Sequence, residues 1–173
     1  MKKKKLSHLN LLLRYLILLG LMFTLPIIYK IFTPLTTQSV AALLKIFYQV
    51  SVSRDIIIIN QTLIQIIPAC IAGSAYLLLL ILNLTIPMNV KKRIYSIALS
   101  FALLLIINIL RIFFLSVLLV NNFRFFDITH KLFWYILSTL FVVGIWFLIV
   151  KIFKIKQIPV YSDVKYLMKN IKK

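Results

Sequence analysis

Acidic side chains are almost missing from this sequence. It contains no glutamate, its only aspartates are Asp55, Asp127 and Asp163, and it has one cysteine and three glycines. A single cysteine excludes a disulfide framework and any metal site that needs several thiolate ligands. The scarcity of carboxylates also means that a positive charge inside a helix has few ion-pair partners available.

The abundant residues are apolar: 62% of the chain is hydrophobic and its mean hydropathy is +1.03. This composition lies outside the range of soluble domains and indicates an integral membrane protein. Four apolar stretches are long enough to cross a hydrocarbon core about 30 Å thick. They cover residues 9–32, 68–84, 94–120 and 132–153. We therefore expect an all-α integral membrane protein, a single membrane domain over 1–173 with four transmembrane helices and a basic tail at 154–173.

The basic residues predict the orientation in the membrane. Most of the 21 lysines and arginines lie in the N-terminal run, the short loop at 91–93 and the tail. Short cytoplasmic loops retain positive charge, so both termini are predicted to be cytoplasmic. A net charge of +18 would suggest nucleic acid in a soluble protein, but here it lies beside membrane ends and fits anionic lipid. No nucleic-acid partner is expected.

The longest interruption between apolar stretches is the predicted outer segment at 33–67. Apolar residues recur at spacings of three and four between 37 and 48, which predicts an outer amphipathic helix lying in the membrane interface. Residues 56–59 and 63–67 are rich in isoleucine and flank a polar Asn60-Gln61-Thr62. That pattern predicts a short hairpin or an extended lead-in to the next helix.

An arginine and an asparagine stand inside the third apolar stretch. Arg111 lies in the outer half of this stretch. On insertion scales a charged side chain near the bilayer centre costs about 2.5 to 3.5 kcal/mol, so Arg111 needs a partner. Asn108 precedes it by three residues and so shares its helix face, which predicts a polar stripe directed into the bundle or a wet cavity. Asp127 in the adjacent loop is the plausible ion-pair partner. The alternative is that Arg111 extends outward and binds loop carbonyls.

The cysteine begins the second apolar stretch. Cys70 follows Pro68, which suits the first position of a helix, and free N–H groups in a first turn favour the thiolate. Gly73 and Ser74, one turn later on the same face, allow another backbone to approach closely and are predicted to bring the arginine helix near the thiol. Cysteine in a membrane helix is more often a small apolar filler, so its position alone does not assign a role.

His130 lies at the outer start of the fourth apolar stretch, and Asp127 or Thr129 is the predicted N-cap of that helix. A lone histidine at a helix start is usually a surface residue, and His8 among the N-terminal lysines is such a case. The predicted topology, however, puts Cys70, Arg111 and His130 at the same outer face. A thiolate, a base and a fixed cation are the groups needed to attack an amide and stabilise its oxyanion.

Three segments together resemble a known family. They read PACIAGSAYLLLLIL, INILRIFFLSVLL and FDITHKLFWYIL, and they are similar to the catalytic helices of the exosortase and archaeosortase membrane transpeptidases, most of all the small archaeal members. That family has a cysteine near the outer start of one helix, an arginine in an N-x-x-R context in the next, and a histidine at the outer start of the one after. The resemblance covers about 36–149. Many members follow the cysteine with Ser or Thr and then Gly, whereas this chain has Ile71 and Ala72 before Gly73.

The resemblance implies a cysteine peptidase that cuts the C-terminal sorting signals of surface proteins. Each signal consists of a short motif, a transmembrane helix and a basic tail. After the cut, the new C-terminus of the surface protein is transferred to an acceptor, often a lipid. By position, Cys70 would be the nucleophile, His130 the general acid and base, and Arg111 the stabiliser of the substrate carbonyl or oxyanion. Asn108 is the candidate substrate-binding residue. No metal or organic cofactor is required.

Two other classes of protein fit the same residues. One is a noncatalytic polytopic membrane protein, such as a transporter subunit or assembly factor, in which Arg111 and Asn108 bind a ligand or partner. The other is a membrane thiol oxidoreductase, against which the single cysteine and the lack of a C-x-x-C pair count.

Overall fold

The computed structural model describes residues 19–86 and 88–155. Residues 9–18 of the first predicted helix, His8 and the tail from 156 onward lie outside the described residues. In chain order the elements are a single 3-10 turn at Leu21–Thr24, α1 (Leu25–Leu44), β1 (Val50–Ser53), β2 (Ile56–Ile59), β3 (Thr62–Gln65), α2 (Pro68–Ile71), α3 (Gly73–Thr85), α4 (Val90–Val120), α5 (Phe126–Leu132), a π-helical turn at Phe133–Leu137, and α6 (Ser138–Ile152).

Three helical segments of the described chain are long and apolar enough to cross a membrane: Leu21–Leu44, Val90–Val120 and Phe126–Ile152. The predicted span at 94–120 is confirmed, with its start moved back to Val90. The last span starts at Phe126 rather than at 132, because the chain turns into helix at apolar and aromatic residues that the prediction had placed in a loop. The apolar composition and these three helices are compatible with a membrane protein.

The predicted helix at 68–84 is broken. Ala72 has φ 57° and ψ 41°, a left-handed conformation that costs a residue with a Cβ about 1 to 2 kcal/mol, and it separates α2 from α3. With 13 residues, α3 is about 20 Å long at 1.5 Å per residue, shorter than the hydrocarbon core of about 30 Å. The prediction of one continuous helix here was therefore wrong, although Pro68 does begin the helical turn as expected.

The separate outer amphipathic helix does not form either. α1 continues through Pro34 to Leu44 without a break, so the residues predicted to form that helix extend the first one. Their apolar side chains have a partner within the protein: Val40 and Leu44 are fully buried in a cluster that also contains Ile57 and Ile59 of the sheet. The apolar periodicity is that of a helix, as predicted, but the apolar face packs on the sheet.

Of the two alternatives predicted for residues 56–67, the structure has the hairpin: β2 and β3 pair antiparallel around the turn at Asn60 and Gln61. Asn60 has φ 54°, a value that asparagine tolerates well in tight hairpin turns. β1 pairs with the other edge of β2 and completes a three-stranded sheet in the order β1-β2-β3. β1 was not predicted, because four residues that alternate serine with valine give a weak strand signal.

Two apolar clusters pack along α4. The helix cluster joins α1, α3, α4 and α6, and the sheet cluster joins α1, the sheet, α2 and α4. The helix cluster consists of Ile28, Tyr76, Leu77, Leu79, Leu104, Val142, Ile145 and Ile149. The sheet cluster consists of Val40, Ala41, Leu44, Ile57, Ile59, Ile66, Ile71 and Ile112. Asn108 lies on α4 between Leu104 of the first cluster and Ile112 of the second, so the polar stripe lies where the two clusters meet.

Gly73 makes the close approach that the sequence predicted, but to a different neighbour. A Cβ on Gly73 would lie 2.5 Å from Cε1 of Tyr29, on α1 rather than on the arginine helix. We expect Gly73→Ala to lower the free energy of unfolding by about 1 to 3 kcal/mol, because the tyrosine ring must shift. The measurement is denaturant unfolding in detergent micelles.

Gly144 provides the matched control, since a Cβ there would meet nothing within 4 Å. Gly144→Ala should leave stability unchanged or raise it by up to about 1 kcal/mol through helix propensity. In a double-mutant cycle, Tyr29→Ala should remove most of the cost of Gly73→Ala. Equal effects of the two glycine substitutions would contradict the close contact.

Candidate active site

The break at Ala72 leaves the carbonyl oxygen of Cys70 to be satisfied from outside its own helix. This oxygen accepts hydrogen bonds from Asn108 Nδ2 at 2.9 Å and from Arg111 Nη2 at 3.0 Å. In an uninterrupted helix it would accept from the backbone N–H four residues later. The two side chains therefore replace a backbone hydrogen bond, and their common acceptor confirms that Asn108 and Arg111 share one face of α4.

Arg111 also reaches the last membrane helix. Its Nη1 donates to Ser138 Oγ at 2.9 Å, and Ser138 Oγ in turn donates to the carbonyl oxygen of Phe133 at 2.6 Å. Ser138 immediately follows the π-helical turn, a helix irregularity that is frequent at functional sites. One guanidinium thus links α2, α4 and the start of α6.

Neither sequence-based expectation for the partner of Arg111 holds. Among the described residues Asp127 forms no ion pair with it, and Asp127 is exposed in the first turn of α5. The guanidinium points to neutral oxygens inside the bundle rather than to loop carbonyls. Arg111 Nε is buried and has no hydrogen-bond partner within the described residues, so one donor remains for a further acceptor.

The three residues predicted to act together border one cavity of about 210 Å³. Cys70 comes from α2, Arg111 from α4 and His130 from α5, and their shared cavity also has Trp134 and the end of the sheet in its wall. Since 60 residues of sequence separate the first and last of them, only the tertiary fold brings them to one space. The fold therefore supplies the grouping that the order of the motifs suggested.

His130 is held by aromatic rings one turn away on either side. Its imidazole stacks on Phe126 with centroids 5.7 Å apart and an interplanar angle of 6°, and it meets Trp134 edge-on at 6.0 Å and 73°. The predicted N-caps, Asp127 and Thr129, are both inside the helix, which begins at Phe126. His130 therefore lies in the second turn, half-buried against the cavity rather than at an exposed helix start.

The surroundings of Cys70 differ from the prediction. α2 has only four residues, so its dipole is small, and the N–H of Cys70 already donates to the carbonyl oxygen of Ile67 at 2.8 Å. Activation of the thiol by free N–H groups of a long helix therefore does not apply at this residue. The fixed positive charge that borders the same cavity is Arg111.

A second, larger cavity adjoins the first at Arg111 and Trp134. It measures about 410 Å³, and Asn108 and Ser138 contribute polar groups to its wall together with Arg111. Asn108, the candidate substrate-binding residue, borders this cavity rather than the one that contains the thiol. The side-chain amide of Asn108 donates to the backbone carbonyl of Cys70, so this contact positions the cysteine.

Sequence reasoning missed Ser138 and Trp134. Ser138 was one hydroxyl in an apolar span, and a serine in such a place usually binds the carbonyl of its own helix. Its contact with Arg111 depends on the packing of α4 against α6, which the sequence does not state. Trp134 would have been read as an ordinary apolar residue of the helix.

No protein-family model, curated protein or solved structure matches this chain.

Ser138 should contribute to stability through Arg111. We expect Ser138→Ala to lower the free energy of unfolding by about 1 to 3 kcal/mol, because a partly buried guanidinium loses an acceptor. Thr139→Ala is the matched control, since the Thr139 hydroxyl is exposed and donates only to the carbonyl of its own helix at Tyr135. Unfolding in detergent should show little change for Thr139→Ala, and a similar loss for both variants would contradict the contact.

Proposed function

We propose that this chain is a membrane-embedded cysteine peptidase or transpeptidase that cleaves the C-terminal transmembrane sorting signal of surface proteins. The observation that carries the proposal is the cavity of about 210 Å³ bordered by Cys70, Arg111 and His130. A nucleophile, a fixed cation and a titratable base on three separate elements are the set that thiol-dependent acyl transfer needs. The resemblance to the exosortase and archaeosortase family supplies the same three roles in the same order.

The reaction would proceed by acyl transfer. The sulfur of Cys70 attacks the scissile amide carbonyl while His130 takes the thiol proton, and the resulting oxyanion collapses with loss of the C–N bond. His130 returns the proton to the departing amine, and the substrate remains on Cys70 as a thioester. Water or an acceptor nucleophile then attacks the thioester, and the thiol is restored. Each step uses side chains of this chain and needs no cofactor.

Arg111 would act in two ways. Two of its nitrogens donate to the Cys70 carbonyl oxygen and to Ser138 Oγ, which fixes the guanidinium, and its unpartnered Nε–H would donate a hydrogen bond to the substrate carbonyl oxygen. A donor fixed before the reaction stabilises an oxyanion better than one that must reorganise. Asn108 would hold the cysteine backbone in place rather than bind substrate directly.

The expected substrates are surface proteins that end in a short motif, a transmembrane helix and a basic tail, and the acceptor would be a lipid or another nucleophile. We place both termini in the cytoplasm and the cavity at the outer face, on the distribution of lysine and arginine. The exposed aromatic and apolar residues around Phe125 and Ile128 are compatible with a location at a membrane interface.

A second candidate function has an observation in its favour. The cavity of about 410 Å³ beside Arg111 and Asn108 is large enough for a small ligand, as a noncatalytic transporter subunit or assembly factor would require. In that case Cys70 would tolerate substitution, because it does not border this cavity. The two candidates therefore differ in what they require of the thiol.

Substitution of the three residues tests the peptidase. Cys70→Ala, Arg111→Ala and His130→Ala should each reduce processing of a tail-anchored substrate by 100-fold or more, because each removes one role in acyl transfer. Processing is measured by the mass shift of the substrate in cells, with membrane levels of each variant checked in parallel.

Two substitutions serve as matched controls. His8→Ala changes the other histidine of the chain, and Arg124→Ala changes an arginine that is exposed near Phe125. Both should process substrate normally. Normal processing by Cys70→Ala would exclude the peptidase and favour the second candidate.

The proposed location predicts how the thiol is labelled. A membrane-impermeant maleimide added to intact cells should modify Cys70, and the Cys70→Ala protein should remain unlabelled because the chain has one cysteine. The measurement is the gel shift of the labelled protein before and after permeabilisation. Labelling only after permeabilisation would place the thiol on the cytoplasmic side and contradict the orientation.

A further inference from the structure

The strand next to the cysteine has an unpaired edge. β3 is the last strand in the order β1-β2-β3, and among the described residues it pairs only with β2. Cys70 follows five residues after its end at Gln65. Natural edge strands are commonly protected by lysine, proline or a bulge, but β3 reads Thr-Leu-Ile-Gln and carries neither of those residues.

The ladder determines which backbone groups face this edge. Ile66 N–H donates to the carbonyl oxygen of Asp55 at 2.8 Å, and the register pairs Ile57 with Ile64. Residues on an antiparallel strand alternate between bonding the neighbour and pointing away from it. Ile64 and Ile66 therefore bond β2, and Leu63 and Gln65 direct their N–H and C=O groups to the open edge.

The end of the open edge borders the cavity that contains Cys70, Arg111 and His130. Ile64 and Gln65, the last two residues of β3, line that cavity together with the two residues that follow the strand. Successive side chains of a strand point to opposite faces, so Ile64 and Gln65 border one space along the edge of β3 rather than on one face. The lining also includes the aromatic residues Phe126, Phe133 and Trp134. The space is therefore bordered by the end of a strand edge and by aromatic side chains.

We propose that the substrate binds as an extended peptide that adds to β3 as a fourth strand and so brings its scissile carbonyl to Cys70. This inference rests on the proposed function and adds to it the mode of recognition. Main-chain hydrogen bonds to Leu63 and Gln65 give affinity that does not depend on sequence, and alternate side chains of the peptide meet the aromatic wall. The occupant is thus an unfolded stretch with apolar side chains at every second position.

A tethering experiment on the full-length protein in detergent tests the pairing without knowledge of the natural motif. The probe is an acetyl tetra-alanine peptide whose C-terminus carries a 2-pyridyl disulfide, and its counterpart has every amide N-methylated. The Cys70 thiolate attacks the disulfide, forms a mixed disulfide and releases 2-thiopyridone, whose absorbance gives the rate. We expect the amide peptide to react at least about fivefold faster, because N-methylation removes the donors that pair with β3.

Gln65→Pro removes one outward N–H and leaves the β2–β3 hydrogen bonds intact, since proline is tolerated where an edge N–H faces away from the ladder. It should abolish most of the rate difference. Gln65→Ala keeps the N–H and should retain the difference. Val52→Pro is the control on the opposite edge of the sheet, because the N–H and C=O groups of Val52 in β1 point away from β2 by the same alternation. This variant should retain the difference in rate between the two peptides.

Strand addition would be overturned if the wild-type protein reacted at equal rates with the two peptides. It would also be overturned if Gln65→Pro kept the whole rate difference of the wild type. A small reagent, methyl methanethiosulfonate, shows whether each variant still has a reactive Cys70. If Gln65→Pro does not fold, the rates of the two peptides with the wild-type protein still test strand addition. Loss of the rate difference leaves the peptidase proposal standing. Normal tail processing by Cys70→Ala removes that proposal, whatever the tethering rates show.

Discussion

Where the helix breaks at Ala72, the carbonyl oxygen of Cys70 leaves the backbone hydrogen-bond ladder inside a predominantly apolar bundle. A polar backbone group without a partner is costly in such surroundings, so donors must come from a neighbouring helix. Asn108 and Arg111 supply them, and Arg111 extends the link to Ser138. The acceptor and Arg111 together link three elements around the candidate site, α2, α4 and α6.

The same contact explains how a charge is accommodated where carboxylates are scarce. Arg111 is stabilised by a carbonyl and a hydroxyl, both of which are dipoles fixed by packing, and the helix and sheet clusters meet around it. This arrangement leaves Nε without a partner among the described residues. A guanidinium held in this way serves the fold and keeps one donor for chemistry, so structural and functional roles of Arg111 do not exclude each other.

The small sheet gives the site its other wall. The C-terminal end of α1 packs on Ile57 and Ile59 of the sheet, and the sheet in turn places the end of β3 at the cavity beside α2. A strand edge next to a nucleophile offers hydrogen bonds along a polypeptide backbone, whereas a bundle of helices alone has its backbone groups internally paired. The sheet is therefore the element that suits an extended peptide rather than a small ligand.

The sequence by itself determined the apolar composition typical of a membrane protein, the long helix over 94–120 and the three residues that border one cavity, because apolar length and isolated polar groups are local signals. For the residues around Asn60 it left two alternatives, a hairpin or an extended lead-in, because β-branched runs favour both. It did not determine the break at Ala72, the continuous α1, the third strand or the contact of Arg111 with Ser138. Those features depend on what packs against each segment: the left-handed Ala72 frees the carbonyl oxygen of Cys70, and Asn108 and Arg111 on another helix satisfy it. Local pattern identified the residues, and only the tertiary packing decided which of their atoms face one another.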